Sequence, residues 1–248
     1  MPTCQRQGCT NEVGYRPNID AITGGYGPST IPKRFCDSCE ATRLVQNRRD
    51  EFERKLHESE IPRGMWSFDR ELGNSALLDW TLAHADGWMW VAGETGVGKS
   101  RALARAAVVS AWKAEYFPGM LWLASADFFP AVGARDGKER QVGRDALAKA
   151  RAVDLLILDD LGQERLTDNT RAVLFSLVDQ RYRERKRTWF STNASGAEIL
   201  AHIGESRWPQ IERRILERGY ANTWDGEQWI EDTSKHTPPV ERQWWQDM

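Results

Sequence analysis

Residues 93–100 read Gly-Glu-Thr-Gly-Val-Gly-Lys-Ser, or GETGVGKS in one-letter code. This octapeptide fits the pattern G-x-x-x-x-G-K-[ST], in which successive backbone N–H groups surround phosphate oxygens. It follows the apolar run WMWVAG at 88–93 and precedes a segment with Ala, Leu and Val at helical spacing. Phosphate binding requires this order of strand, loop and helix, because the N-terminus of a helix carries partial positive charge. The octapeptide therefore predicts a nucleotide-binding loop.

The residues of this loop are expected to divide the work of binding ATP. Lys99 is predicted to reach the β- and γ-phosphates, and the hydroxyl of Ser100 is predicted to join the shell of a Mg²⁺ ion. The backbone of the whole loop is assigned to the nucleotide phosphates. The candidate ATP-binding residues are Gly93, Glu94, Thr95, Gly96, Val97, Gly98, Lys99 and Ser100.

Polar side chains follow two later apolar runs of the chain. The run LLIL at 155–158 ends in Asp159 and Asp160, and the run at 188–192 is followed by Asn193. Ligands of parallel sheets bind at the carboxyl ends of the strands. Asp159 is therefore predicted to hold Mg²⁺, Asp160 to polarise the attacking water, and Asn193 to sense the γ-phosphate. Small polar residues at strand ends also serve as simple turn formers, and this alternative stays open for Asn193.

Strand-like and helix-like runs alternate between about residue 72 and residue 193. The strand-like runs are apolar almost throughout, and they are found at 88–93, 120–125, 154–160 and 188–193. The helix-like runs are found at 75–85, 99–116, 140–151 and 168–186. This alternation predicts an α/β fold with a parallel sheet covered on both faces. The tryptophans of the strands are expected to fill that core, namely Trp88, Trp90, Trp122 and Trp189.

All four cysteines lie within the first 39 residues of the chain. They form two close pairs, Cys4 with Cys9 and Cys36 with Cys39. Each pair can occupy one side of a tetrahedron around Zn²⁺, and zinc would supply the folding energy that this segment, which has no core of its own, lacks. Free thiols and disulfides are the alternatives. The module could contact either a protein or DNA.

Composition divides the chain into four predicted segments. These are a zinc-binding module at 1–39, a charged helical linker at 40–60, an ATPase domain at 61–230 and a polar tail at 231–248. The first 30 residues contain no apolar segment typical of a secretory signal, and no apolar run approaches the ~20 residues of a membrane-spanning helix. The sequence therefore predicts a cytoplasmic protein with no membrane partner.

The net charge of the 248-residue chain is −2, from 34 basic and 36 acidic residues. This balance gives no global indication of nucleic-acid binding, so any such indication must come from local charge. Basic residues cluster at 135–151 and again at 181–187. Such stretches could follow the phosphates of single-stranded DNA, or they could be ordinary solvent-exposed helix faces.

These motifs together resemble those of the AAA+ ATPases of the DnaC/DnaI/IstB group, the bacterial and phage helicase loaders and transposition ATPases. The resemblance implies a protein of the bacterial cytoplasm, encoded by the cell or by a phage. The resemblance is carried by GETGVGKS at 93–100, LLILDDLG at 155–162 and QRYRERKRTWFSTN at 180–193. The segment EIPRGMWSFD at 60–69 resembles the Ile-Pro segment that leads into the ATPase domain of the group. The resemblance implies a P-loop ASCE/AAA+ three-layer sandwich with strand order 5-1-4-3-2 and a reduced lid, preceded here by a zinc-ribbon-like module.

The resemblance also implies that a neighbouring subunit completes the ATP site with an arginine, so that the protein forms a homo-oligomer on ATP binding. Arg214 aligns best with that arginine, and Arg213 is one residue away. Asp160 stands where many AAA+ proteins have Glu, and its shorter reach implies slow hydrolysis.

The expected function is ATP-dependent loading of a hexameric DnaB-type replicative helicase onto DNA, with binding of single-stranded DNA. Hydrolysis is expected to be slow and to be stimulated by DNA or by the partner. One alternative is an IstB-like transposition ATPase that assembles on duplex DNA. The other is an ATP-gated scaffold with little hydrolysis.

Overall fold

The first of two units in the chain contains the cysteines. The structure, a computed structural model of the 248-residue chain, describes residues 3–12, 15–17, 30–32, 34–66, 75–84, 87–114, 117–224 and 229–231. Contacts divide the chain into residues 1–54 and residues 55–248. The first unit contains a short antiparallel pair, β1 (Tyr15–Pro17) with β2 (Thr30–Pro32). It also contains most of helix α1 (Asp37–Glu58), within which the boundary falls.

The second unit is built on a six-stranded sheet. Its strands are β3 (Trp88–Ala92), β4 (Met120–Ala124), β5 (Leu155–Asp159), β6 (Arg187–Thr192), β7 (Gly219–Trp224) and β8 (Trp229–Glu231). They lie in the order β4-β5-β6-β3-β7-β8. All neighbours pair in parallel except β7 and β8, which pair antiparallel.

Helices follow or precede each of the parallel strands. They are α2 (Ser75–Ala83), α3 (Lys99–Lys113), α4 (Ser125–Gly133), α5 (Gly137–Ala152), α6 (Asp168–Arg183), α7 (Gly196–Ile203) and α8 (Trp208–Arg218). Capping boxes begin two of them, with Thr167 at α6 and Ser195 at α7. Each cap supplies an acceptor for a backbone N–H that a helix cannot satisfy internally. None of the helices described here combines the length and the apolar content that crossing a lipid bilayer requires.

The predicted order is confirmed for four parallel strands. Counted from the strand before the phosphate loop, β3, β6, β5 and β4 lie in the order 1-4-3-2. The fifth strand in this count, β7, pairs in parallel with the other side of β3. The antiparallel β8 was not expected from the sequence. It includes Glu231, the first residue of the predicted tail, and the rest of that tail lies outside the described residues.

Helix α4 was also not expected from the sequence. It contains Pro130, which lacks an N–H and usually marks the end of a helix. Phe128 and Phe129 of the same helix are buried in the core. Burial of these two rings stabilises the helix despite the proline, which a reading of local propensity could not show.

Both faces of the sheet are buried, as the apolar strands predicted. Alternate strand residues, such as Leu156 and Leu158, join one hydrophobic cluster with side chains of α4, α6, α7 and α8. Met89 of β3, which lies between Trp88 and Trp90 and so faces the other side of the sheet, is also buried. Its sulfur lies 3.9 Å from the Thr81 hydroxyl of α2. The strand tryptophans are core residues as expected, with Trp88, Trp122 and Trp189 buried and Trp90 packed at the edge of the cluster.

Arg181 lies in the core and therefore does not belong to an exposed basic stretch at 181–187. Its guanidinium donates to the carbonyls of Ala150 (2.7 Å), Val153 (2.9 Å), Asp154 (3.4 Å) and Arg187, and to the hydroxyl of Thr188 (2.9 Å). Burial lowers the pKa of Arg181 to about 10, which still leaves it charged at neutral pH. This one side chain therefore joins the end of α5 to the residue before β5 and to the first two residues of β6.

Replacing Arg181 should destabilise the protein strongly. Arg181→Met keeps much of the apolar volume but leaves buried carbonyls without donors, which we expect to cost about 3 kcal/mol or more of the free energy of unfolding. The matched control is Arg183→Met, because Arg183 is on the same helix and its side chain, which pairs with Asp179 at 3.0 Å, is 70% exposed. Urea unfolding of both variants measures the difference, and equal losses would contradict the assignment.

Candidate functional site

The phosphate loop lies between β3 and α3, as its sequence predicted. Gly98 precedes the helix with φ 91°, a left-handed conformation that glycine adopts without a steric penalty. Lys99, the first helical residue, is buried, and its Nζ donates to the carbonyl oxygens of Gly93 (2.9 Å) and Glu94 (2.8 Å). The loop backbone thus wraps around its own lysine, and most of the loop remains exposed.

The register of the parallel strands brings the acidic residues beside the loop. The Ser100 hydroxyl donates to Asp159 Oδ1 at 2.7 Å, which joins the start of α3 to the end of β5. Hydroxyl and carboxylate oxygens are the ligands that Mg²⁺ prefers in proteins, so this pair could hold the metal. Burial raises the pKa of the Asp159 carboxyl, while hydrogen bonds from Ser191 and Ser100 oppose that shift.

Asn193 joins the lysine of the loop to the second carboxylate. Its Oδ1 accepts a hydrogen bond from Lys99 Nζ, and its Nδ2 donates to Asp160 Oδ1 at 3.2 Å. Burial lowers the pKa of Lys99, and the nearby charges of Asp160 and Asp159 oppose this effect. The structure therefore brings Lys99, Asp159, Asp160 and Asn193 together at the carboxyl edge of the sheet.

Ser191 is a member of this cluster that the sequence did not single out. Its hydroxyl donates to Asp159 Oδ1 at 2.5 Å and accepts from the backbone N–H of Asp160 at 2.8 Å. Asp160 itself has φ 55°, a conformation that is uncommon for a residue other than glycine. One serine thus connects both acidic residues to β6. The signal that could have identified Ser191 is a small hydroxyl residue two positions before the candidate sensor Asn193, on the strand that follows the acidic strand.

The structure does not bring Arg214 into this hydrogen-bonded cluster. Its guanidinium donates to Asp179 Oδ1 at 2.5 Å and to the carbonyl of Gln210 at 2.8 Å, and it lies over the rings of Phe175 (5.4 Å) and Tyr182 (5.5 Å). The side chain is only 12% exposed, whereas the adjacent Arg213 is 69% exposed.

The four cysteines meet in the first unit, as their spacing predicted. Their sulfur atoms all lie within 4.8 Å of one another, with 3.8 Å between those of Cys9 and Cys36 and 3.6 Å between those of Cys9 and Cys39. A tetrahedral zinc site with Zn–S bonds of about 2.3 Å separates its sulfur atoms by about 3.8 Å. None of the four forms a disulfide. This cluster could therefore hold zinc.

Polar neighbours favour the metal-binding form of one of these cysteines. Hydrogen bonds from Ser38 (3.3 Å) and Asn11 (3.5 Å) lower the pKa of the Cys36 thiol to about 5. The thiolate is the form that binds metal.

A family profile described as "IstB-like ATP binding protein" matches residues 65–208. The match includes the phosphate loop, both acidic residues and Asn193. The chain belongs to the IstB-like ATP-binding protein family. This IstB-like domain covers more than half of the chain, and the predicted membership in the DnaC/DnaI/IstB group of AAA+ proteins is confirmed. No curated protein sequence matches significantly.

Two solved structures have the same fold as this IstB-like protein. One is titled "Crystal structure of the DnaC helicase loader"; it is 19% identical, has a TM-score of 0.52, and aligns with 65% of this chain and 99% of its own. The other is titled "Crystal Structure of the DnaI"; it is 20% identical, has a TM-score of 0.53, and aligns with 65% of this chain and 93% of its own. At these identities the likeness concerns the fold.

Metal analysis can test the cysteine cluster. We expect purified protein to contain one zinc per chain, and we expect Cys36→Ser to lose it, because a serine hydroxyl is a poor replacement for a thiolate. The control is Ser38→Ala, which removes a hydrogen bond to Cys36 but keeps all four thiols and should keep the zinc. Wild-type protein without zinc, or Cys36→Ser with full zinc content, would contradict the assignment.

Proposed function

We propose that this IstB-like protein is an ATPase that loads a hexameric replicative helicase of the DnaB type onto DNA. ATP binding drives its assembly and its engagement of DNA, and hydrolysis releases the helicase. The observation that carries the proposal is the hydrogen-bonded cluster of Lys99, Asn193 and Asp160, beside Ser100 and Asp159, in a domain with the fold of the helicase-loading proteins DnaC and DnaI.

The chain's own residues have separate roles in hydrolysis. The backbone of residues 93–98 binds the phosphates and Lys99 neutralises their charge. Ser100 and Asp159 would hold Mg²⁺, which supplies charge neutralisation when it is bound. Asp160 orients the attacking water and takes up its proton. Asn193 is hydrogen-bonded to both Lys99 and Asp160. It therefore couples the presence of a γ-phosphate at Lys99 to the position of the Asp160 carboxylate.

Single-stranded DNA is proposed to bind along α5. Five cations at or near this helix are exposed, and Arg151 at its end is partly buried. The exposed ones are Arg135, Lys138, Arg140, Arg144 and Lys149, against the acids Asp136, Glu139 and Asp145. Exposed cations suit the phosphates of a single strand, which are the same whatever its sequence.

The zinc module, residues 1–39, is proposed to hold the partner protein. The observation that supports this is that the four cysteines come together within residues 1–54, a unit distinct from the one that carries the phosphate loop. A small metal-stabilised module of this kind can bind a partner without changing the geometry of the ATP site.

A second candidate function is that of a transposition ATPase that assembles on duplex DNA. The match to the IstB-like family profile favours it. A third is an ATP-gated scaffold that hydrolyses little, which the short side chain of Asp160 favours. The loader predicts affinity for a helicase, the transposition ATPase predicts nucleotide-dependent assembly on duplex DNA, and the scaffold predicts ATP binding without turnover.

Capture of a purified DnaB-type helicase tests the leading proposal. We expect the protein with ATP and Mg²⁺ to retain the helicase and to transfer it to single-stranded DNA. If the zinc module holds the helicase, Cys36→Ser in the full chain should weaken the capture. The absence of any complex, with or without ATP, would contradict the loader proposal, and filaments on duplex DNA would favour the transposition ATPase.

Loss of the loop lysine should abolish the nucleotide-dependent steps. Lys99→Ala removes the cation that faces the phosphates, and we expect the affinity for ATP to fall roughly 30-fold or more. The matched control is Lys113→Ala, at the exposed end of the same helix, which should bind ATP normally. Titration with a fluorescent ATP analogue measures both. Unchanged ATP affinity in Lys99→Ala would refute the assignment of the loop.

We propose that Arg213, rather than Arg214, reaches the ATP site of a neighbouring subunit. Arg213 is exposed and forms an ion pair with Glu217, which is also exposed, whereas Arg214 is held by Asp179 of its own chain. Arg213→Ala should therefore keep its stability and ATP affinity but lose stimulated hydrolysis, by up to ~10³-fold. Arg214→Ala should instead lower the free energy of unfolding by about 1–3 kcal/mol.

Hydrolysis assays and urea unfolding of both variants distinguish the two arginines. Mixing Arg213→Ala with Asp160→Asn subunits should restore part of the turnover if the arginine acts between subunits, because each variant supplies what the other lacks. Normal turnover in Arg213→Ala, together with a loss in a stable Arg214→Ala, would reverse the assignment.

A further inference from the structure

Glu164 carries a buried carboxylate four residues after Asp160. Its side chain is 0% exposed. One oxygen, Oε2, accepts from the backbone N–H of Gly162 at 3.0 Å, and the other, Oε1, lies 3.1 Å from His202 Nε2. Both oxygens therefore have a partner, and none of the roles proposed above uses this residue.

Glu164 stabilises a turn whose backbone is conformationally demanding. The turn follows β5 and contains Asp160 with φ 55° and Gly162 with φ 103°, both left-handed. A non-glycine residue keeps such a conformation only when its surroundings hold it there. Ser191 of β6 holds the first part, through bonds to the N–H groups of Asp160 and Leu161 at 2.8 Å each. Glu164 holds the next N–H, that of Gly162.

The other partner of Glu164 connects this turn to α7. His202 lies in the last turn of α7 and is 21% exposed, and its backbone carbonyl accepts from Arg171 Nε at 3.0 Å. The turn also packs directly on α7, because a Cβ at Gly162 would lie 3.0 Å from Ile199 Cδ1. The same helix begins three residues after Asn193. The pair of Glu164 and His202 therefore joins the turn of Asp160 to the helix that follows the sensor.

A buried carboxylate is a costly way to stabilise a fold. Its desolvation must be offset by its two partners, and well-packed apolar residues of similar volume often stabilise a core as well or better. Here the apolar alternative would leave the N–H of Gly162 without an acceptor. The Glu164 carboxylate therefore helps to fix the position of the turn that carries Asp160.

We propose that Glu164 and His202 form a positioning pair for hydrolysis, which fixes the turn after β5 so that the Asp160 carboxylate faces the γ-phosphate and the attacking water. This inference rests on the proposed ATPase function. Neither residue touches the nucleotide, and both act through the backbone of residues 160–162. The pair should therefore affect the rate of turnover and leave the binding of ATP unchanged, since the loop that binds ATP belongs to β3 and α3.

Variants of His202 separate positioning from stability. His202→Leu removes the partner of Glu164 Oε1, and His202→Asn is polar but too short to reach it. Both should lower kcat roughly 10- to 100-fold, the effect expected of a small displacement of a catalytic group. The KM for ATP and the Kd of a fluorescent ATP analogue should change by no more than about twofold. His202→Gln, whose amide can still donate to Glu164, should recover most of the lost kcat.

Thr167→Ala is the matched control. It removes the N-cap of α6 and should lower stability without touching the turn. Thermal unfolding of every variant sets an assay temperature at which all are folded. We expect Thr167→Ala to keep the wild-type kcat even if it unfolds at a lower temperature than the His202 variants.

The outcomes are distinguishable. Wild-type kcat in folded His202→Asn would overturn the inference and leave the proposed function intact. So would a loss of kcat that follows stability across all variants, including Thr167→Ala, or a failure of His202→Gln to recover kcat. Wild-type protein that binds ATP but never hydrolyses it, with or without DNA and helicase, would overturn the ATPase proposal and this inference with it.

Discussion

The parallel pairing of β6 between β3 and β5 is the constraint on which the whole site depends. Ala92 pairs with Thr192, and Leu158 pairs with Phe190, so the three strands end almost level. Residues that are about 30 and 60 positions apart in the chain therefore meet within hydrogen-bonding distance at one edge. A shift of one residue in either pairing would turn Asp159 or Ser191 to the opposite face of the sheet. The cluster of Lys99, Asp159 and Asn193 is a direct consequence of this register.

Charged side chains make different kinds of contact at the amino and carboxyl edges of the sheet. At the amino edge, Arg181 uses its guanidinium to satisfy carbonyls at the end of α5 and at the start of β5 and β6. All of its donors serve the fold. At the carboxyl edge, Lys99 donates to loop carbonyls and to Asn193, and Asn193 donates to Asp160. The charged groups of this edge therefore bond mainly to one another and to the loop, beside the partly exposed phosphate loop.

Much of this architecture could be predicted from sequence patterns. The phosphate loop, the four apolar strands, their 1-4-3-2 order and the cysteine cluster agree with the prediction, because each depends on local spacing or on a resemblance carried by contiguous residues. Helix α4 could not be predicted, since Pro130 argues against a helix and only burial of Phe128 and Phe129 overrides it. Arg181 was misplaced on a basic surface stretch, because the sequence does not show which of several neighbouring arginines faces the core.

The sequence alone determined which chemical groups the protein offers: a phosphate-loop motif, two acidic residues and an asparagine after apolar runs, and two close pairs of cysteines. These are short motifs, so local spacing is enough to recognise them. Only the tertiary structure determined which polar residues act together. Ser191 between the two acidic residues, Glu164 against His202, and Arg214 against Asp179 are contacts between residues 31 to 38 positions apart or on adjacent elements. Such pairs arise from strand register and helix packing, which no local pattern encodes.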